Sequence, residues 1–199
     1  MTRRKIVAIS GSGRTGSTLL SLLLSQHRGI FNLGQLRDLW TAFGEDAPCS
    51  CGRTLRTCPV YSAVVREAFG PDPADALQQM RRAMKTFFGD AQRIPDWSND
   101  GQVRSLARKH DSFLARLTSV LETLQRVTGA ETFIDASKSP EMALALSLTA
   151  GTETFVLNLA RDPRAIAVSW HKRRGGWQTA WDSGRTWAQR QRQLSRWSC

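Results

Sequence analysis

Between Lys5 and Ser10 the chain carries Ile6, Val7 and Ile9, a β-branched run that a glycine cluster ends, which predicts a buried strand. From Gly16 the period changes. Leu19, Leu20, Leu22, Leu23 and Leu24 form a broad apolar face that Gly29 stops, the pattern of a helix. Ile30 to Leu33 predicts a second short strand, and Leu36 to Phe43 a helix. A Cys- and Pro-containing loop runs from Glu45 to Pro59. Three helical stretches follow: Val60–Phe69, then Asp75–Phe88 behind the turn signal Gly70-Pro71-Asp72-Pro73, then a long amphipathic helix over Val103–Val127 closed by Gly129. The strand signature returns at Thr132–Ala136 and Thr154–Leu159, separated by a helix that begins near Pro140, a favoured first-turn residue. A last helical region starts at Asp162-Pro163. Alternating strands and helices predict an α/β fold with a parallel sheet of about four or five strands. Both faces of the sheet should be covered, and ligands should bind at the carboxyl ends of the strands.

Hydrophobic residues at 41% and charged residues at 23% fit an ordinary globular chain, and 199 residues suffice for one well-buried core, so 1–199 reads as a single domain. The longest apolar run, Leu19 to Leu24, contains Ser21 and is far too short to span a bilayer. Arg3, Arg4 and Lys5 imitate the basic end of a signal peptide. The apolar stretch Ile6 to Ile9 breaks at once into Ser-Gly-Ser-Gly, however, so a signal peptide is rejected and a cytoplasmic protein is expected. Lys and Arg total 28 against 17 Asp and Glu, a formal charge of +11. Such a field draws polyanions, nucleotides or acidic membranes without choosing among them. Much of the excess lies near the C-terminus, where Arg161, Arg164, Lys172, Arg173, Arg174, Arg185, Arg190, Arg192 and Arg196 crowd together.

Chemistry concentrates in two segments. Gly11-Ser12-Gly13-Arg14-Thr15-Gly16-Ser17-Thr18 lies between a strand and a helix. Its glycines let backbone N–H groups curl round an anion, and the helix N-terminus adds partial positive charge. The spacing is that of an NTPase phosphate loop, but position 17 is Ser where such a loop carries Lys. The loop therefore suits a phosphate and is poorly built for triphosphate hydrolysis, with Arg14 able to supply the displaced charge. The second segment is Leu157 to Ser169. A strand delivers Arg161 at its carboxyl end, Asp162-Pro163 opens a helix, and Ser169 lies about two turns along it. An Arg and a Ser hydroxyl facing one crevice can clamp a second phosphate.

These two segments resemble the paired nucleotide motifs of the sulfotransferase family, which uses 3′-phosphoadenosine 5′-phosphosulfate (PAPS). Arg14-Thr15-Gly16-Ser17-Thr18 matches the motif that holds the 5′-phosphosulfate, and Arg161 with Ser169, eight residues on, matches the pair that binds the 3′-phosphate. The resemblance implies a P-loop-containing nucleotide-hydrolase-like, three-layer fold with a central parallel sheet. It implies Gly13, Arg14, Thr15, Gly16, Ser17, Thr18, Arg161 and Ser169 as nucleotide-binding residues, and no metal. The resemblance is to bacterial members and to the tyrosylprotein and carbohydrate branch more than to the small-phenol enzymes. Phe133-Ile134-Asp135-Ala136-Ser137-Lys138-Ser139-Pro140 resembles the segment whose lysine, here Lys138, neutralises charge on the transferring sulfuryl group. Gly34-Gln35-Leu36-Arg37 resembles the segment that carries the catalytic glutamate and a nearby arginine, here Arg37. As plain structure, Lys138 would be a solvated lysine at a helix start and Arg37 a surface residue.

The implied function is sulfuryl transfer from PAPS to a hydroxyl or amine on a small-molecule, carbohydrate or peptide acceptor, with no specific nucleic-acid partner and no membrane span. Helices in residues 60–128 are expected to cap the acceptor. The chain ends soon after the second motif, where relatives continue, so it reads as truncated or unusually short. Gln35 departs from the family's carboxylate: an amide orients a hydroxyl but does not take its proton. Asp38, Glu45 or His171 could serve as base, the acceptor could need little base assistance, or nucleotide could bind without turnover. A P-loop kinase acting on a small molecule with ATP, or a non-catalytic basic nucleotide-binding protein, are the alternatives.

Cys49-Ser50-Cys51-Gly52 and Cys58-Pro59 agree with similar C-x-C-G…C-P segments in bacterial sulfotransferase-like proteins. Three cysteines without a nearby histidine make an incomplete zinc set, which Cys199 could complete only by folding back, so they read as reduced loop cysteines ahead of a disulfide or a metal. His27, His110 and His171 are scattered and read as structural or exposed.

Overall fold

The structure, a computed structural model, describes residues 3–174 and 177–195. Arg196 and Cys199, considered above, lie outside these residues. Four strands, β1 (Arg4–Gly11), β2 (Ile30–Gly34), β3 (Thr132–Lys138) and β4 (Thr152–Leu159), pair in parallel in the order β2-β3-β1-β4. Helices α1 (Ser17–Leu24) and α2 (Leu36–Gly44) flank β2 in sequence. Between β2 and β3 the chain then forms α3 (Pro59–Phe69), α4 (Ala74–Arg93), α5 (Asp100–Lys109) and α6 (Asp111–Thr128). Beyond β3 come α7 (Pro140–Leu148), then α8 (Pro163–Arg174) and α9 (Trp177–Leu194) after β4. The fold class is α/β, with a four-stranded, all-parallel central sheet flanked by helices.

β1 divides the interior because its side chains alternate. Ile6 and Ala8 point into the main core with Phe133, Leu36, Trp40, Leu121 and Met142. Val7 and Ile9 point to the opposite face, where Ile134, Ala136, Leu20 and Leu24 gather in a smaller cluster. The register of β4 sets Phe155 beside Val7 and Leu157 beside Ile9, so both belong to that second face. There they remain 49% and 39% exposed, and Leu19, Leu22 and Leu23 of α1 are exposed as well. Helices thus flank the sheet on both faces, with the β4 edge of the second face part-exposed. The helices of residues 59–128 pack on the first face, and Leu20 and Leu24 of the eight-residue α1 pack on the second, with Ile9, Ile134 and Ala136.

The expectation of a single helix over Val103–Val127 is corrected. Two helices meet at His110, whose backbone (φ −114°, ψ 26°) leaves the helical region. His110 is buried edge-on against Phe87, with ring centroids 5.3 Å apart, and its Nε2 shares a 2.8 Å hydrogen bond with Asp90. Lys109 also reaches Asp90 at 2.8 Å, and these two partners hold its carboxyl down at about 2. A polar contact with another helix decides this break, and hydrophobic periodicity carries no trace of it.

Glu141 fixes the helix that later walls the site. Buried in the first turn of α7, it accepts from Ser139 Oγ at 2.7 Å, from Gln92 of α4 at 2.8 Å and from Gln193 of α9 at 2.8 Å. Gly11 (φ 134°) ends β1 so close to β4 that a Cβ there would stand 2.5 Å from the Leu159 carbonyl oxygen, which only glycine avoids. Among the described residues no helix is long and apolar enough to cross a membrane.

Candidate anion-binding site

β1, β3 and β4 end at one cavity of about 950 Å³, within the range of small-ligand sites. The β1–α1 loop forms its floor. Gly16, in the left-handed region at φ 95°, precedes α1 without any side-chain cap, so the first-turn N–H groups of that helix lack a side-chain partner. Thr15 braces the loop from within, its hydroxyl donating to Ser12 O at 2.9 Å. Gly13 admits the Trp170 ring, which would lie 3.0 Å from a Cβ at that position.

Three arginines bind this loop to α8, to α9 and to the turn that precedes α8. Arg14, itself at φ 70°, donates from Nε to Ser169 Oγ at 2.8 Å. Arg161 donates from Nη1 to the Arg14 carbonyl at 2.9 Å, and Arg190 of α9 donates to the Gly11 carbonyl at 2.8 Å. The two motifs, 147 residues apart between Arg14 and Arg161, therefore meet in space.

The opposite rim is set by β3. Asp135 is buried, and its Oδ1 accepts from the Leu36 N–H at 3.0 Å and from Ser137 Oγ at 2.6 Å, while Ser137 Oγ accepts from the Arg37 N–H at 3.0 Å. The start of α2, and with it Gln35 and Arg37, is thereby positioned by β3. Burial pushes the Asp135 carboxyl above its usual range, against the pull of these hydrogen bonds. Asp135→Ala strands the Leu36 amide and is expected to lower stability by about 1–3 kcal/mol, measured by urea denaturation, with Asp135→Asn closer to wild type.

Lys138 ends β3 in the left-handed region (φ 57°) and donates from Nζ to the Ala136 carbonyl at 2.9 Å. Burial, then the charge of Arg37, lowers its pKa; burial and Arg37 lower that of Arg190 in the same way. Both shifts come from burial and from like charge nearby, and an anion placed between these groups would offset them.

Of the residues expected at the site, Gly13, Arg14, Gly16, Ser17, Thr18, Gln35, Arg37, Lys138, Arg161 and Ser169 line this cavity. Thr15 does not; its hydroxyl is turned into the loop. Asp38, Glu45 and His171 are also absent from the lining: Asp38 pairs with Arg37 at 3.1 Å, and Glu45 follows the far end of α2. No described residue of 60–128, expected to cap the acceptor, lines it either. That wall is α9, which contributes Asp182, Thr186 and Arg190, together with Trp170 and Arg173 of α8. Asp182, Thr186 and Arg190 recur at i, i+4 and i+8, and Arg173 follows Ser169 by four, so helical spacing counted from the second motif was the available signal.

Six cations, Arg14, Arg37, Lys138, Arg161, Arg173 and Arg190, face this space, with Asp182 the sole carboxylate among its described lining residues. No protein-family model, curated protein or solved structure matches the chain.

Proposed function

We propose that the chain is a PAPS-dependent sulfotransferase on a P-loop-like scaffold, transferring a sulfuryl group to a hydroxyl or amine. The observation that carries this reading is the contact of the two motifs, Arg161 on the Arg14 carbonyl and Arg14 on Ser169, around a cavity with six cations and no lysine at position 17. The cavity is large enough for a nucleotide. When bound, the donor supplies an activated sulfuryl group whose departure leaves negative charge on a phosphate. The loop amides and Arg14 hold one anionic end, Arg161 and Ser169 the other. Lys138 and Arg190 stand where charge grows, and Gln35 orients the acceptor. Proton acceptance falls to Asp182. Asp182→Asn is expected to cut turnover at least about tenfold while adenosine 3′,5′-bisphosphate affinity stays within about twofold; unchanged turnover in that variant removes Asp182 from the mechanism.

The kinase alternative is weakened by Asp135, the acid on the strand beside β1, because it is buried, committed to Leu36 and Ser137, and outside the cavity lining. Binding without turnover is the second reading, favoured by Gln35. The first test is calorimetry with adenosine 3′,5′-bisphosphate against ATP with magnesium in moderate salt. Metal-independent binding of the bisphosphate supports the proposal; a preference for magnesium-ATP overturns it.

A further inference from the structure

The segment between α2 and α3 takes no part in the cavity. It forms a small knuckle in which Pro48 bridges Thr54 antiparallel. Cys49 N–H donates to Arg53 O at 2.7 Å, Gly52 N–H to Cys49 O at 3.0 Å, and Leu55 N–H to Ala47 O at 2.9 Å. Gly52, at φ 85°, lets the chain reverse. Only Leu55 and Cys58 of the knuckle are buried in the main core. Cys49 and Cys51 flank the turn, half-buried and exposed, while Cys58 is the buried residue that immediately precedes Pro59 and opens α3. All three are free thiols, and their sulfur atoms lie within 4.8 Å of one another.

We propose that Cys49, Cys51 and Cys58 form a structural zinc site, three thiolates on one ion with the fourth position open to solvent. Tetrahedral zinc at about 2.3 Å from each sulfur places the sulfurs about 3.8 Å apart. The observed cluster closes onto that geometry with side-chain shifts of about 1 Å. Thiolates select zinc over magnesium or calcium. The start of α3 favours negative charge on Cys58, and binding releases the thiol protons to solvent. A disulfide would use two of these sulfurs and leave the third idle, whereas a metal uses all three. Among the described residues no fourth His, Cys, Asp or Glu joins them. The ion would clip the turn to α3, whose Tyr61 hydroxyl donates to the Leu33 carbonyl at 3.1 Å, directly before Gly34-Gln35.

The test uses the full chain, reduced and stripped of metal, titrated with cobalt(II) and then zinc. One cobalt per chain is expected, with thiolate-to-cobalt charge-transfer and tetrahedral visible bands that zinc abolishes. Cys51 is exposed, so Cys51→Ser leaves the core intact; it should weaken cobalt binding by more than about 100-fold, beyond what loss of an outer-shell partner costs. Bisphosphate affinity should not change in that variant, which separates this site from the cavity. Absence of the bands while all thiols count as reduced, or full cobalt affinity in Cys51→Ser, overturns the proposal.

Discussion

Arg161→Ala is expected to weaken adenosine 3′,5′-bisphosphate binding by about 10- to 100-fold in calorimetry, with turnover at saturating donor changed much less. A hydrogen bond to a charged group contributes about 1.5–3 kcal/mol, and Arg161 is positioned to make such bonds from the guanidinium nitrogens not engaged with Arg14. The variant also releases the Arg14 carbonyl, so some of the loss comes from a loop that must be ordered by the ligand itself. Arg161 is exposed, and its removal opens no cavity in the core, so the fold should survive unchanged. Arg161→Lys should fall between wild type and alanine, because a point charge keeps the attraction and loses the two-pronged geometry. Unchanged affinity in Arg161→Ala would remove the second motif from the nucleotide site.

Lys138→Ala should behave in the opposite way. Removing one donor that stabilises charge developing in a transition state costs about 10²–10³ in kcat, while ground-state affinity is nearly spared. The position supports this: Lys138 ends β3 inside the cavity and is half-buried, where water screens its charge poorly. Single-turnover consumption of the donor with a panel of phenol, sugar-hydroxyl and amine acceptors, set beside bisphosphate affinity, measures the two effects separately. Burial and Arg37 lower the Lys138 pKa below its ordinary 10.5. The protonated form is the one needed, so turnover should fall as pH rises through that lowered value, and Lys138→Arg should move the fall to higher pH. Equal losses of affinity and turnover in Lys138→Ala and Arg161→Ala would sink the division of labour between them.

The local features of this chain were legible in the sequence. Ile6, Val7 and Ile9 specify β1 because β-branched residues suit a pleated, buried ribbon, and the glycines after them permit only a tight loop before the leucine-rich α1. The parallel sheet followed from the alternation of elements. Arg14, Arg161 and Ser169 were recognisable as candidates because each stands at a strand end or one helical stretch beyond it, where α/β folds open their ligand crevices, and Lys138 through the family segment it resembles. The tertiary structure decided what depends on distant partners. His110 breaks a helix because Asp90 and Phe87 lie across from it, and Asp135 is a strut for α2 because Leu36 and Ser137 claim its oxygen. Glu141 brings α9, and with it Asp182, Thr186 and Arg190, over the strand ends by a hydrogen bond to a glutamine 52 residues away. Three cysteines that spacing left as an incomplete set lie within 4.8 Å because one of them opens the next helix. Sequence patterns record the period of a segment and the backbone freedom of its glycines, which are local properties. Which faces meet, and which polar atoms find each other there, is settled only when the whole chain packs.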